Sequence, residues 1–168
     1  MDITVHNKNF TPYINAAQIS EQVNKLAASL NQDYEGKRPL FIAILNGSFM
    51  FASDLFKAVT IEAEICFIKL ASYKGTKSTG QVITSIGLDA TLTGRHVIIL
   101  EDIVDTGKTL HEFLPQLENH QPASLKIAAL LHKPEALAYP VKIDYLGFMY
   151  PISFYWGMGL ILMGLDEI

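Results

Sequence analysis

Short, largely apolar runs separated by helical spacing constrain this chain more than any other feature. Residues 39–45 read Pro39-Leu40-Phe41-Ile42-Ala43-Ile44-Leu45 without a polar residue and are closed by Asn46-Gly47-Ser48. A strand with one wet face alternates polar and apolar residues, so this run predicts a strand buried on both faces. A second apolar run covers 63–70, a third covers 96–100, and 124–131 and 142–148 are two further strand candidates. Between them, residues 16–30 place Ile19, Val23, Leu26, Ala27 and Leu30 at the spacing of one helix face. That helix is expected to end near Gly36-Lys37-Arg38-Pro39; helical spacing resumes at 49–58 and again from Thr106. Strands alternating with helices predict an α/β fold with a mainly parallel central sheet flanked by helices. Ligands of such sheets bind just beyond the carboxyl ends of the strands.

The 168 residues, 49% hydrophobic and 18% charged, are enough for one core, so a single domain over 1–168 is expected. A formal charge of −4 without a run of Lys or Arg argues against a general nucleic-acid or anionic-membrane surface. Any anionic ligand must be held by local geometry. The start Met1-Asp2-Ile3-Thr4-Val5-His6 has neither the basic nor the apolar region of a secretion signal, and no run reaches the roughly 18 residues of a membrane span. The nearest approach, 155–165, is short and glycine-rich. One cysteine, Cys66, excludes a disulfide within the chain and reads as a small buried hydrophobe suited to a reducing cytoplasm. The five histidines, at 6, 96, 111, 120 and 132, show no metal-ligand spacing and read as structural or solvated.

The chemistry concentrates in residues 97–110, Val97-Ile98-Ile99-Leu100-Glu101-Asp102-Ile103-Val104-Asp105-Thr106-Gly107-Lys108-Thr109-Leu110. Read from the residues, a strand over 96–100 leads into an acidic turn over 101–105, and a helix opens at the hydroxyl-rich turn that follows. Free amides and the positive dipole end of a helix start make a site for a phosphate monoester, and glycine permits close approach. The glycine spacing fits neither the triphosphate loop nor the dinucleotide fingerprint. Three carboxylates beside a phosphate become reasonable if Glu101 and Asp102 accept from sugar hydroxyls or bind Mg²⁺, leaving Asp105 for proton chemistry. On residue types alone, a surface acidic turn that merely caps a helix stays open, since Asp and Thr are good caps.

The whole segment resembles the signature of the type I phosphoribosyltransferases: an apolar strand, two acidic residues, two apolar residues and Asp-Thr-Gly-Lys-Thr. The resemblance implies that Glu101 and Asp102 serve the ribose and Mg²⁺, that Asp105 is the general base, and that Thr106, Gly107, Lys108 and Thr109 hold the 5′-phosphate. Other segments are similar to the hypoxanthine-guanine branch in the same order. Leu45, Asn46 and Gly47 match its diphosphate loop, whose first peptide is often cis, although that branch usually has Lys or Arg at the place of Asn46. Ser72 and Tyr73 head the polar stretch 71–80, read as a mobile surface loop, and resemble the Ser-Tyr pair of a lid that closes over the reacting centre. Lys133 matches the donor to the exocyclic oxygen of a 6-oxopurine; Phe154 would stack on the base and Tyr155 would offer backbone groups to its edge.

The family fold so implied is a type I phosphoribosyltransferase domain with a small hood formed by the terminal segments. The implied reaction joins hypoxanthine, guanine or xanthine to 5-phosphoribosyl 1-diphosphate, releasing diphosphate, in a cytoplasmic homodimer or homotetramer. The chain departs from the pattern after Met158: the family's Asp near the position of Ile161, and the Arg that follows it, are not evident. Asn46 and this tail favour one alternative, a regulator of the same fold that senses phosphoribosyl diphosphate with little catalysis. The acidic balance and the missing basic face oppose it. An enzyme of the same fold for adenine, uracil or orotate is opposed by Lys133, since an amino donor suits a 6-oxo group.

Overall fold

The first helix, α1 (Ala16–Asp33), starts where Asn15 can cap it: the Asn15 side chain accepts from the Gln18 amide, and the Gln18 side chain accepts from the Asn15 amide, both at 2.9 Å. A computed structural model of the chain describes residues 3–5, 8–10, 14–72, 82–86 and 91–150. Before α1 lie two short strands, β1 (Ile3–Val5) and β2 (Lys8–Phe10), paired antiparallel. After it come β3 (Leu40–Leu45), α2 (Phe49–Ala58), β4 (Glu64–Ser72), β5 (Val82–Ile86), β6 (His96–Val104), α3 (Lys108–Glu118), β7 (Ser124–His132), a 3-10 turn at Pro134–Ala136, and β8 (Tyr145–Met149).

β3 to β8 form one six-stranded sheet in the order β5-β4-β3-β6-β7-β8. All neighbours are parallel except β4 and β5, which are antiparallel, so the expected mainly parallel sheet is present. Alternate residues along each strand enter different layers. Phe41, Ala43, Ile98 and Leu100 pack with Val23, Leu26, Leu30, Phe51 and Leu55 of α1 and α2. Leu40, Ile42, Val97 and Ile99 pack with Leu110, Phe113 and Leu117 of α3. Both faces of the central strands are thus covered, which is why their sequences show no polar alternation. Cys66 packs half-buried beside the α3 cluster, where burial pushes its thiol pKa up.

The chain leaves β3 toward β4 on one side and later returns as β6 on the other. The strand order therefore reverses at β3 and β6, and a crevice opens beyond their carboxyl ends. Those two ends carry Asn46-Gly47 and Asp105-Thr106.

Several expected boundaries move. β6 continues through Val104, because Ile103 pairs with Leu131 and Val104 with His132; Glu101 and Asp102 therefore sit inside a strand, not in an acidic turn. α3 begins at Lys108, not Thr106, since Gly107 at φ 78° turns the chain before it. β4 takes in Ala71 and Ser72, which pair with Ile83 and Val82, so the polar loop expected over 71–80 starts no earlier than Tyr73. β8 starts at Tyr145: Asp144 turns back to accept from Lys126 Nζ and from the Ile127 amide, which keeps Lys142 out of the strand. Of the expected hood, the β1–β2 pair is described, and the tail beyond Tyr150 lies outside the described residues. Among the described residues no helix is long and apolar enough to cross a membrane.

Candidate active site

The turn after β3 forms one wall. The Leu45-Asn46 peptide is cis. Buried Ser48 closes this turn by donating from Oγ to the Ile44 carbonyl at 2.6 Å, leaving Asn46 exposed and Gly47 buried. A Cβ on Gly47 would stand 2.5 Å from both carboxylate oxygens of Asp102, so only glycine lets the loop backbone lie directly on that carboxylate.

The acidic pair lies near the carboxyl end of β6, beside the turn after β3. Asp102, 4% exposed, sits against the Gly47 backbone, and its carboxylate accepts from the Ile103 amide. Glu101 precedes it in β6, with its Oε2 buried. Neither Glu101 Oε2 nor Asp102 Oδ2 has a hydrogen-bond partner among the described residues. Burial, with the nearby Asp102 charge, pushes the Glu101 pKa well above the usual carboxylate range. Burial raises Asp102 as well, opposed by its backbone hydrogen bonds. Partnerless buried carboxylate oxygens call for a cation or for hydroxyl donors, so the pair fits Mg²⁺ or a ribose. No group of three or more metal-binding side chains occurs among the described residues. Two carboxylates suit Mg²⁺, which commonly completes its shell with water and substrate phosphate.

The second wall is the turn between β6 and α3. Gly107 at φ 78° is the N-cap of α3, and no side chain caps the helix start. Thr106, Lys108 and Thr109 are exposed there, and the Lys108 amide makes only a long bond, 3.3 Å, to Thr106 Oγ1. The Thr106 carbonyl accepts from the amides of Ala138 and Tyr139, both at 3.0 Å, which ties the turn to the segment after the 3-10 turn. Gly107→Ala would put a Cβ 2.6 Å from the Tyr139 carbonyl oxygen at a left-handed φ. The left-handed backbone alone makes this variant less stable by about 1–2 kcal/mol. A urea midpoint equal to that of the unchanged protein would contradict this reading of the turn.

Asp105 lies between the walls with its side chain 49% exposed, and Lys133 Nζ stands 3.6 Å from its Oδ1. Lys133 follows β7, its amide bonded to the Val104 carbonyl at 3.0 Å. One crevice therefore gathers a backbone loop, two buried carboxylates, an uncapped helix start, and an acid beside an amine. The phosphoribosyl transferase domain family matches residues 13–161. The chain belongs to that family.

Similar phosphoribosyltransferases include the hypoxanthine-guanine phosphoribosyltransferase of Lactococcus lactis subsp. lactis (strain IL1403), 40% identical over 148 residues, or 88% of this chain and 80% of that protein. The hypoxanthine-guanine-xanthine phosphoribosyltransferase of Tritrichomonas foetus is 40% identical over 146 residues, 86% of this chain and 80% of its own. Among solved structures, a hypoxanthine phosphoribosyltransferase from Staphylococcus aureus, in its orthorhombic crystal form, superposes with a TM-score of 0.87 at 33% identity. That match covers 98% of this chain and 92% of the other.

Of the residues expected in a phosphoribosyltransferase site, the crevice brings together Leu45, Asn46, Gly47, Glu101, Asp102, Asp105, Thr106, Gly107, Lys108, Thr109 and Lys133. Ser72 ends β4 beside Val82. Tyr73, Phe154 and Tyr155 lie outside the described residues. Two features escaped the sequence reading. The support of the Gly47 loop by Asp102 joins residues far apart in the chain and leaves no local signal. Tyr150, buried with its ring 6.0 Å from Lys133 Nζ, reads in sequence only as an aromatic before Pro151.

Proposed function

We propose that this chain converts a 6-oxopurine, hypoxanthine with guanine and xanthine as further candidates, and 5-phosphoribosyl 1-diphosphate into the nucleoside monophosphate and diphosphate. The observation that carries this reading is the acid–amine pair Asp105–Lys133 at the mouth of a crevice that also holds a helix start and two buried carboxylate oxygens without a partner among the described residues. The start of α3, with Thr106, Gly107, Lys108 and Thr109, anchors the 5′-phosphate, so binding energy far from the reacting carbon positions the sugar. Glu101 accepts from the ribose hydroxyls and, with Asp102, would hold Mg²⁺, while Asp102 also lies against the backbone of the loop Leu45, Asn46 and Gly47 that meets the diphosphate. The chemistry that Mg²⁺ would supply there is neutralisation of charge on the leaving diphosphate. Lys133 donates to the 6-oxygen, and Asp105 takes the proton from the purine nitrogen as it bonds to the anomeric carbon. Phe154 stacks on the base, Tyr155 offers backbone groups to its edge, and a lid headed by Ser72 and Tyr73 excludes water. The unit is the single domain 1–168, working in the cytoplasm as a homodimer or homotetramer on small molecules, without nucleic acid or membrane; a monomer by light scattering at micromolar concentration would remove the oligomer.

Calorimetry with nucleoside monophosphates tests the base assignment. Inosine monophosphate is expected to bind, and adenosine monophosphate, whose 6-amino group meets the Lys133 donor, to bind about 10- to 100-fold more weakly. Equal affinity for the two would overturn the 6-oxopurine reading.

A further inference from the structure

Tyr150 belongs to no role described so far, yet it completes a row across three strand ends. In the parallel registers, Val104 of β6 pairs with His132 of β7, and His132 pairs with Met149 of β8. Asp105, Lys133 and Tyr150 are the next residues of those three strands, so they stand side by side along the lip of the crevice. Backbone bonds hold the row: the Lys133 amide to the Val104 carbonyl and the Tyr150 amide to the His132 carbonyl, each at 3.0 Å. Within it, the Lys133 ammonium stands 3.6 Å from Asp105 Oδ1 and lies over the Tyr150 ring, 6.0 Å from its centroid. The ring is 5% exposed and the lysine side chain 18%.

We propose that Tyr150 is a positioning residue, whose ring face holds the Lys133 ammonium where it can exchange Asp105 for the 6-oxygen of an incoming purine. A lysine carries four rotatable methylenes, and fixing its head before the base arrives lowers the ordering cost of binding. An aromatic face suits this task because it attracts the cation without competing for the direction of its hydrogen bonds. While the site is free of base, Lys133 pairs with Asp105; when the base arrives, the ammonium turns to the purine oxygen. The carboxylate is then released to accept the proton, and the ring holds the ammonium in both positions. The step moves one proton from the purine nitrogen to Asp105 and requires no other reactant.

This inference rests on the 6-oxopurine reading, and the test has one arm independent of it. In the kinetic arm, Tyr150→Leu is expected to raise KM for hypoxanthine about tenfold, the size of a partly desolvated cation–π contact, with KM for phosphoribosyl diphosphate unchanged. Tyr150→Phe, which keeps the ring face, restores the value. A parallel rise in both KM values, or no rescue by Phe, marks a merely structural role and overturns the proposal. In the second arm the lysines are labelled as ¹³C-dimethylamines and the Lys133 signal is identified by its loss in Lys133→Arg. Tyr150→Leu is expected to shift that signal and Tyr150→Phe to leave it in place; a signal unmoved in the Leu variant overturns the proposal. A wild-type chain that forms no nucleotide would sink the transferase reading alone, and the labelled lysine would still decide whether Tyr150 positions Lys133.

Discussion

Asp105→Asn is expected to lower kcat by about 10²- to 10⁴-fold, the range of a single general-base step. The substitution keeps the side chain's size and both heteroatoms, so the fold and the anchoring of the phosphate at α3 should survive, and KM for phosphoribosyl diphosphate should change little. What disappears is the carboxylate that stands half-exposed at the crevice mouth, 3.6 Å from Lys133 Nζ. The position makes chemical sense. A base must meet substrate, so it cannot be as enclosed as Asp102, and Asp105 is half-exposed. Wild-type turnover in the Asn variant with substrate bound would remove Asp105 from proton transfer.

Glu101→Gln is expected to act in opposite directions on stability and on binding. Its Oε2 is buried without a partner among the described residues, and burial raises its pKa well above the usual carboxylate range. An unfolded glutamate titrates near pH 4.3, roughly. Between that pH and the higher folded-state value, the folded chain holds a proton that the unfolded chain has released. Stability of the free protein therefore falls as pH rises across that window, and raised Asp102 adds a slope of the same sign. Removing the ionisable group makes the slope shallower and stabilises the free protein at neutral pH, because an amide has no charged form for burial to penalise. The same change weakens binding of phosphoribosyl diphosphate with Mg²⁺ by about 10- to 100-fold, since a charged acceptor is lost where hydroxyls and the cation meet. Urea unfolding across pH, beside calorimetry, reads both. A Gln variant less stable than wild type at neutral pH would contradict this account of Glu101.

How much of this was legible in the sequence varied with the physical origin of each feature. The β3 run was readable because burial on two faces leaves an unmistakable apolar stretch, and α1 because its core residues repeat every three or four positions. Boundaries failed where tertiary pairing outweighed local chemistry. Glu101 and Asp102 are poor strand residues, yet Ile103 and Val104 pair with β7 and draw them into β6. Pro115 disfavours a helix interior, yet α3 runs on to Glu118 because Phe113 and Leu117 are seated in the core. Within the site, the start of α3 could be argued from Gly107 and its threonines. Lys133, by contrast, was visible only through family resemblance: a lone lysine after a strand has no signature, and its partners Asp105 and Tyr150 come from other strands.

The central claim is that the crevice at the ends of β3 and β6 transfers a phosphoribosyl group and does not merely bind its donor. The direct measurement mixes the protein with 5-phosphoribosyl 1-diphosphate and Mg²⁺, adds hypoxanthine, guanine, xanthine, adenine, uracil or orotate in turn, and follows nucleotide and diphosphate together. The account predicts inosine monophosphate and diphosphate in equal amounts from hypoxanthine, and no nucleotide from adenine, uracil or orotate. Tight binding of the donor with no product from any base would contradict it and leave a sensor of phosphoribosyl diphosphate in its place.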